Sequence, residues 1–156
     1  MSDVSVVIFL ITPIISLLSS LLVFVLTYLK DIKNDKKTVA REKIDNLYVP
    51  FYKKSLAGYL SEPYMLDSWS LETASSFLNL FTNNIQYMST ESQQLYQPFY
   101  KAFLNKYLPD DNLSNEEVKQ SNLEFKNAFI DIATSLQKDY VSLCKLLGLE
   151  EPIKLF

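Results

Sequence analysis

The sequence has no histidine, one cysteine and two glycines. Histidine is the usual general base and the commonest metal ligand, so its absence argues against most catalytic and metal sites. Cys144 alone excludes an internal disulfide. No glycine-rich phosphate loop, nucleophile elbow or cysteine pair with metal spacing is present. With Arg41 as the only arginine and no histidine, the chain also lacks the arginine–histidine pair of helical bundles that cut RNA. We predict a protein that is not an enzyme, with no catalytic residue, metal ligand or cofactor.

Charged residues are absent from residues 5 to 29. A helix of this length reaches about 37 Å, more than the roughly 30 Å hydrocarbon core of a bilayer. No lysine or arginine precedes this stretch, whereas several follow it, and positive charge collects on the cytoplasmic side. We therefore predict a transmembrane helix over residues 1–29 with its N-terminus outside the cell. The remainder would form a domain on the cytoplasmic side of the cell membrane.

The hydroxyl side chains of this predicted span all fall on one side of a helix. At ~100° per residue they occupy about 100° of arc. They are Ser5, Thr12, Ser16, Ser19, Ser20 and Thr27. Small hydroxyl residues are typical of contacts between membrane helices, and Ser16-x-x-x-Ser20 is a small-xxx-small pair. Alternatively, a ring of copies would turn the stripe inward to line a polar pore. Both interpretations predict self-association or a membrane partner.

Residues 30–46 form a predicted basic juxtamembrane helical stalk. Lys30, Lys37 and Arg41 continue the hydroxyl stripe, and we interpret them as a basic cytoplasmic mouth of the pore or as contacts to anionic lipid. The alternative is a solvated helix whose charges balance locally. Residues 55 to 156 instead carry seven basic and thirteen acidic groups. That balance argues against direct nucleic-acid binding, which needs a basic face.

An internal repeat follows the stalk. Residues 47–60 and 95–108 agree at nine of fourteen positions, including Leu-Tyr-x-Pro-Phe-Tyr-Lys, at an offset of 48. The same offset aligns Phe77, Asn79 and Phe81 with Phe125, Asn127 and Phe129. Two repeated helical hairpins, about 47–90 and 95–138, predict a four-helix bundle over residues 47–156. The scarcity of glycine also favours an all-α fold.

Apolar residues within the repeat recur at spacings of three and four, which predicts core stripes. In the two copies they are Phe51, Tyr52, Leu56, Tyr59 and Leu60, and Phe99, Tyr100, Leu104, Tyr107 and Leu108. An aromatic ligand pocket is the alternative. Further core positions are predicted at Leu71, Phe77, Ile85, Leu123 and Phe125. Each copy is expected to begin a helix near its proline, Pro50 or Pro98. Alternatively, Thr90-x-x-Gln93 forms a capping box upstream of the second copy, and Pro98 then bends that helix. The last helix is expected between a cap at Ser114 or Asn115 and Gly148.

A single span followed by a small helical domain resembles in outline the small membrane effectors that accompany bacterial anti-phage systems. That resemblance in layout implies a role in antiviral defence. Our first hypothesis is a single-pass membrane protein in the lipid bilayer that forms a homo-oligomer and acts as an effector, forming or gating a pore. The second is a membrane-tethered adaptor or regulatory protein whose cytoplasmic bundle binds a protein partner.

Overall fold

The structure is a computed structural model that describes residues 3–59, 66, 68–109 and 114–155. Side chains are described from residue 16 onward within these ranges, except at residues 58 and 59. The fold is all-α, as predicted, and the described residues include no strand. The chain divides into two compact units, Met1–Val39 and Ala40–Phe156.

Helix α1 runs from Asp3 to Lys43 and includes residues 3–29 of the predicted span, whose first two residues lie outside the described ranges. From residue 16 to residue 30 every side chain on it is exposed. Among the residues searched, which are those the structure describes, no helix combines the length and the apolar character needed to cross a membrane. The side chains of residues 5 to 15 lie outside that description. The transmembrane helix therefore stays a prediction.

The second unit is a helical bundle, which confirms that prediction. After α1 come a π-helical turn, Ile44–Tyr48, helix α2, Val49–Lys54, and a second π-helical turn, Ser55–Tyr59. Helix α3 spans Leu71–Asn83, and a short 3₁₀ turn, Ile85–Tyr87, connects it towards α4, Thr90–Tyr107. Helix α5, Asn115–Leu147, is the longest of the bundle elements and packs along α4.

Serine residues begin the three later helices. Ser70, Ser89 and Ser114 have extended backbones, and each side-chain oxygen accepts a bond from an amide three residues on. Such caps satisfy amides that have no partner inside the helix. The predicted cap at Ser114 is confirmed, and Gly148 ends α5 with φ of 70°, in the left-handed region that glycine tolerates.

Neither proline follows non-helical backbone, and for Pro98 the predicted alternative, a helix that begins upstream near Thr90, is the correct one. Pro98 lies inside α4, eight residues after its first residue, because Ser89 supplies the cap further upstream. Pro50 stands in the first turn of α2, but helical backbone already precedes it. The π-helical turn Ile44–Tyr48 ends with the Val49 amide bonded to the Ile44 carbonyl, immediately before this proline. A π turn changes the hydrogen-bond register, and here it does so where proline lacks a donor.

Aromatic rings form the centre of the bundle. Six phenylalanines are completely buried, three from each copy of the repeat, namely Phe51, Phe77, Phe81, Phe99, Phe125 and Phe129. In the first copy the ring of Phe51 lies 6.1 Å from that of Phe77 and 5.9 Å from that of Phe81. In the second, Phe99 lies 5.8 and 6.0 Å from the rings at the equivalent positions, Phe125 and Phe129. The aligned residues of the two sequence repeats thus make equivalent contacts, and the duplication of a helical hairpin stays a prediction.

Several predicted core residues are instead exposed, namely Leu56, Leu71, Ile85, Tyr100, Leu108 and Leu123. Leu123 is separated from the buried Phe125 by about 200° around α5, so the two cannot share a face. Leu56 lies in the second π-helical turn, and Ile85 and Leu108 lie beyond the ends of α3 and α4. At these three positions the backbone no longer follows the 3.6-residue period of the α-helix from which the core positions were predicted. The predicted core residues Tyr59 and Leu60 lie outside the side chains described.

Candidate functional site

The predicted hydroxyl stripe is present on α1 as far as its side chains are described. Ser16, Ser19, Ser20 and Thr27 are all exposed. They share one side of the helix because their spacings follow its turns. The Ser20 hydroxyl donates to the carbonyls of Ser16, at 2.9 Å, and Leu17, at 3.0 Å. The helix itself therefore satisfies that hydroxyl. Ser5 and Thr12 lie outside the side chains described.

The other side chains between residues 17 and 29 are almost all bulky and apolar. Ten of them are at least 43% exposed: Leu17, Leu18, Leu21, Leu22, Val23, Phe24, Val25, Leu26, Tyr28 and Leu29. Apart from Val23 they occupy the circumference that the hydroxyls leave open. A helix that is apolar over most of its surface normally lies in a protein core or in lipid. Within one copy, this surface is uncovered.

The three basic residues of the predicted mouth lie on the C-terminal part of α1. Lys30 and Arg41 are exposed, and Lys37 is half-buried. Lys33, which the sequence analysis did not assign, falls on the same side of the helix. Together Lys30, Lys33, Lys37 and Arg41 span about 80° of arc, and we call them the basic face.

A partly buried polar network, which the sequence did not predict, connects three parts of the bundle. Asp139 of α5 accepts a 2.7 Å hydrogen bond from the Ser92 hydroxyl and longer ones, of 3.4 Å, from the Tyr48 hydroxyl and the Ser89 amide. Ser92 also lies 2.8 Å from the Ser135 hydroxyl. Burial, the Asp139 charge and the Asp139 hydrogen bond all raise the pKa of Tyr48. The partners in these hydrogen bonds are 43 to 91 residues apart in the sequence, so no local motif indicates them.

A second cluster contains Tyr52, Tyr140 and Cys144. The ring of Tyr140 lies 4.9 Å from that of Tyr52 and 5.7 Å from that of Tyr48. Burial, followed by the charges of Tyr140 and Cys144, raises the pKa of Tyr52 to about 12. Among the described residues, neither the buried Tyr52 hydroxyl nor that of Ser55 has a hydrogen-bond partner. Cys144 is buried, as predicted, and burial also raises the pKa of its thiol.

The cluster of Tyr52, Tyr140 and Cys144 lacks the features of a nucleophilic or metal-binding site. A thiol with a raised pKa is mostly protonated at neutral pH and is a poor nucleophile. The described residues contain no group of three or more acidic or cysteine side chains placed to hold a metal ion. The repeated aromatic residues at positions 51 and 99 are core residues rather than the lining of a ligand pocket.

An open groove runs along the surface between α4 and α5. It comprises two adjoining cavities of about 450 and 610 Å³ that share Asn105 and Glu124 in their walls. The α5 wall carries Glu117, Glu124 and Asp131, seven residues apart and therefore on one side of the helix. The α4 wall contributes apolar side chains and one base: Leu95, Pro98, Ala102, Leu104, Leu108 and Lys101. We call this surface the acidic groove.

The three acids of the groove are exposed to solvent. Hydrogen bonds from the amide and hydroxyl of Ser114 lower the pKa of Glu117. Glu124 accepts a 3.0 Å hydrogen bond from Gln120, one turn away. Between described residues of the bundle, ion pairs join Lys138 to Glu91 and Lys145 to Glu151. Within the described part of the chain, Glu124 and Asp131 thus lack a basic partner.

No protein-family model, curated protein or solved structure matches this chain.

Proposed function

We propose that this chain is a single-pass membrane protein that self-associates through its apolar helix and its helical domain and acts as a membrane effector. The observation that carries the proposal is the uncovered apolar surface of α1 between Leu17 and Leu29. Burying one such side chain contributes roughly 1.5–3 kcal/mol, so ten of them strongly favour a lipid or protein cover. The charge-free sequence of residues 5 to 29 supports lipid.

The basic residues that follow the apolar stretch support an orientation with the bundle in the cytoplasm. Self-association is supported by the stripe of Ser16, Ser19, Ser20 and Thr27, since small hydroxyl residues let membrane helices approach closely. The proposed activity is to form or gate a pore whose lining is this stripe. By resemblance of layout to anti-phage membrane effectors, the proposed setting is antiviral defence.

The pore is tested by ion flux from liposomes that contain the full chain. Ser16→Leu/Ser20→Leu adds bulk to the stripe and should reduce both assembly and flux at least tenfold. Ser16→Ala/Ser20→Ala keeps the side chains small, so assembly should persist while flux falls with the polarity of the lining. Leu21→Phe/Val25→Phe adds bulk on the opposite side and serves as the control.

Absence of flux from an assembled wild type would contradict the pore. Flux unchanged by Ser16→Leu/Ser20→Leu would also contradict it, because the stripe could not then be the lining.

A second candidate is the membrane-tethered adaptor, which the open acidic groove favours because its walls mix apolar and charged side chains. If the protein is an adaptor, the full chain should remain monomeric in detergent and form a stoichiometric complex with one different protein. An assembled chain that needs no other protein would exclude the adaptor as the primary role.

A further inference from the structure

We propose that the acidic groove between α4 and α5 binds the basic face of α1 from a second copy of this chain. This inference rests on the self-association proposed above, and it names the two surfaces through which the copies would contact each other. Each copy carries both halves of the contact, so the interface is head-to-tail. Such interfaces close into rings or continue as open filaments.

The two surfaces match in charge. The segment from Lys30 to Arg41 has five basic and two acidic residues, and four of the bases share the basic face. The acidic groove presents Glu117, Glu124 and Asp131 against the single base Lys101. On α5 the bases Lys119 and Lys126 lie about 200° from Glu117 and Glu124, so they point away from this side. Opposite charges facing each other across a contact favour association and select the partner.

The two surfaces also match in length and spacing. The three acids recur every seven residues, about 10.5 Å apart, and extend over about 21 Å of α5. Lys30 and Lys37 are separated by the same seven residues, and Lys30 to Arg41 covers about 17 Å of α1. A helix laid in the acidic groove can therefore place bases beside successive acids. Leu104 and the 65% exposed Leu108 offer apolar contact to the stems of the lysines.

The groove acids are also available for such a contact. Glu124 and Asp131 have no basic partner among the described residues, and both are on the rigid middle of a 33-residue helix. Two copies held in one membrane by their apolar helices meet at high effective concentration, so modest ion pairs suffice to order them. Exposed ion pairs are individually weak, and a contact built from several should weaken as salt is raised.

The test is a charge exchange in the full-length chain, solubilised in detergent and followed by its mass. Glu124→Lys/Asp131→Lys reverses the groove, and Lys33→Glu/Lys37→Glu reverses the basic face. Each double variant alone should raise the apparent dissociation constant of the assembly at least tenfold. The chain that carries all four substitutions should assemble as the wild type does, because opposite charges face each other again. Glu72→Lys/Glu116→Lys changes two exposed acids outside the groove and is the control.

Circular dichroism of each variant checks that helical content is retained, and Glu124→Gln/Asp131→Asn supplies a milder change should the reversal disturb folding. Assembly unaffected by the groove variants overturns this inference and leaves the proposed function standing. Loss of assembly without recovery in the four-substitution chain also overturns it, and points to lipid or another protein as the ligand of the basic face. A monomeric wild type overturns the inference and the proposed self-association together.

Discussion

Tyr48 and Tyr52 are one helical turn apart and both are buried, yet their hydroxyls differ in environment. The Tyr48 hydroxyl contacts the Asp139 carboxylate and the Tyr87 carbonyl, each at 3.4 Å. The Tyr52 hydroxyl is buried without a partner. A buried polar group without a hydrogen bond lowers stability, whereas a bonded one offsets its desolvation. The contribution of the two hydroxyls to stability should therefore differ in sign.

We predict that Tyr48→Phe lowers the free energy of unfolding by about 1–2 kcal/mol. Tyr52→Phe should leave it unchanged or raise it by up to about 1 kcal/mol, because it removes an unsatisfied group and keeps the ring. Urea unfolding of the full chain can be followed by the fluorescence of the buried Trp69. A loss of 1 kcal/mol or more in Tyr52→Phe would mean that its hydroxyl has a partner.

The buried tyrosines also predict how stability depends on alkaline pH. Burial raises the pKa of Tyr107 to about 12, and that of Tyr52 is raised to about 12 as well, from an ordinary value near 10. Between these values the folded chain holds protons that the unfolded chain has released, so stability falls as pH rises. The contribution is fully present below pH 10 and is lost as pH approaches 12.

Urea unfolding at intervals from pH 8 to 11.5 should show this decline in the free energy of unfolding. The decline should be shallower in Tyr52→Phe, which removes one of the groups whose pKa is raised by burial. Equal slopes in the wild type and in Tyr52→Phe would contradict the assignment of a raised pKa to that hydroxyl.

Helix α5 depends on a capping box at its first turn. Ser114 accepts a bond from the Glu117 amide at 3.3 Å, while the Glu117 carboxylate accepts from the Ser114 amide at 2.8 Å. Ser114→Ala should therefore lower the free energy of unfolding by about 1 kcal/mol. Ser142→Ala is the matched control, since this exposed serine in the same helix donates only to the Lys138 carbonyl.

Hydrogen exchange locates the effect of this substitution. The amides of residues 115–118 should exchange faster in Ser114→Ala than in the wild type, and those near the middle of α5 should change less. Equal protection of the first turn in the two proteins would show that the cap contributes nothing.

Local signals in the sequence predict the ends of the last helix well. The serine cap, the acidic first turn and Gly148 each act within a few residues, so they can be recognised without knowledge of the fold. The aromatic core positions shared by the two repeats were likewise predictable from spacing. The predicted core positions are wrong where π-helical turns intervene, as at Leu56. A π-helical turn changes the side of the helix that the following residues face.

Contacts between residues that are far apart in the sequence could not be predicted from local signals of this kind. The network around Asp139 joins Tyr48, Ser92 and Ser135, and polar residues at these positions look like ordinary surface residues in the sequence. The acidic groove was also missed. Glu117, Glu124 and Asp131 are visible as acids with a seven-residue spacing, but only the packing of α4 beside α5 adds the apolar wall.

At the scale of the whole molecule, α1 has two roles in the proposed assembly, namely contact within the membrane and binding in the acidic groove. Its apolar segment requires a cover outside the single copy, and its basic face continues directly from the hydroxyl stripe. A copy that packs through the stripe would therefore bring its basic face close to its neighbours. Contact in the membrane and docking in the acidic groove would then reinforce one another.

The central claim is that copies of this chain assemble, and the mass of the detergent-solubilised, full-length protein tests it most directly. We predict a discrete oligomer whose mass is a whole multiple of the 18.0 kDa chain, with six or more copies if a ring encloses a pore. Its mass should not change when other proteins are removed. A chain that stays monomeric in several mild detergents, at every protein concentration measured, would contradict the account.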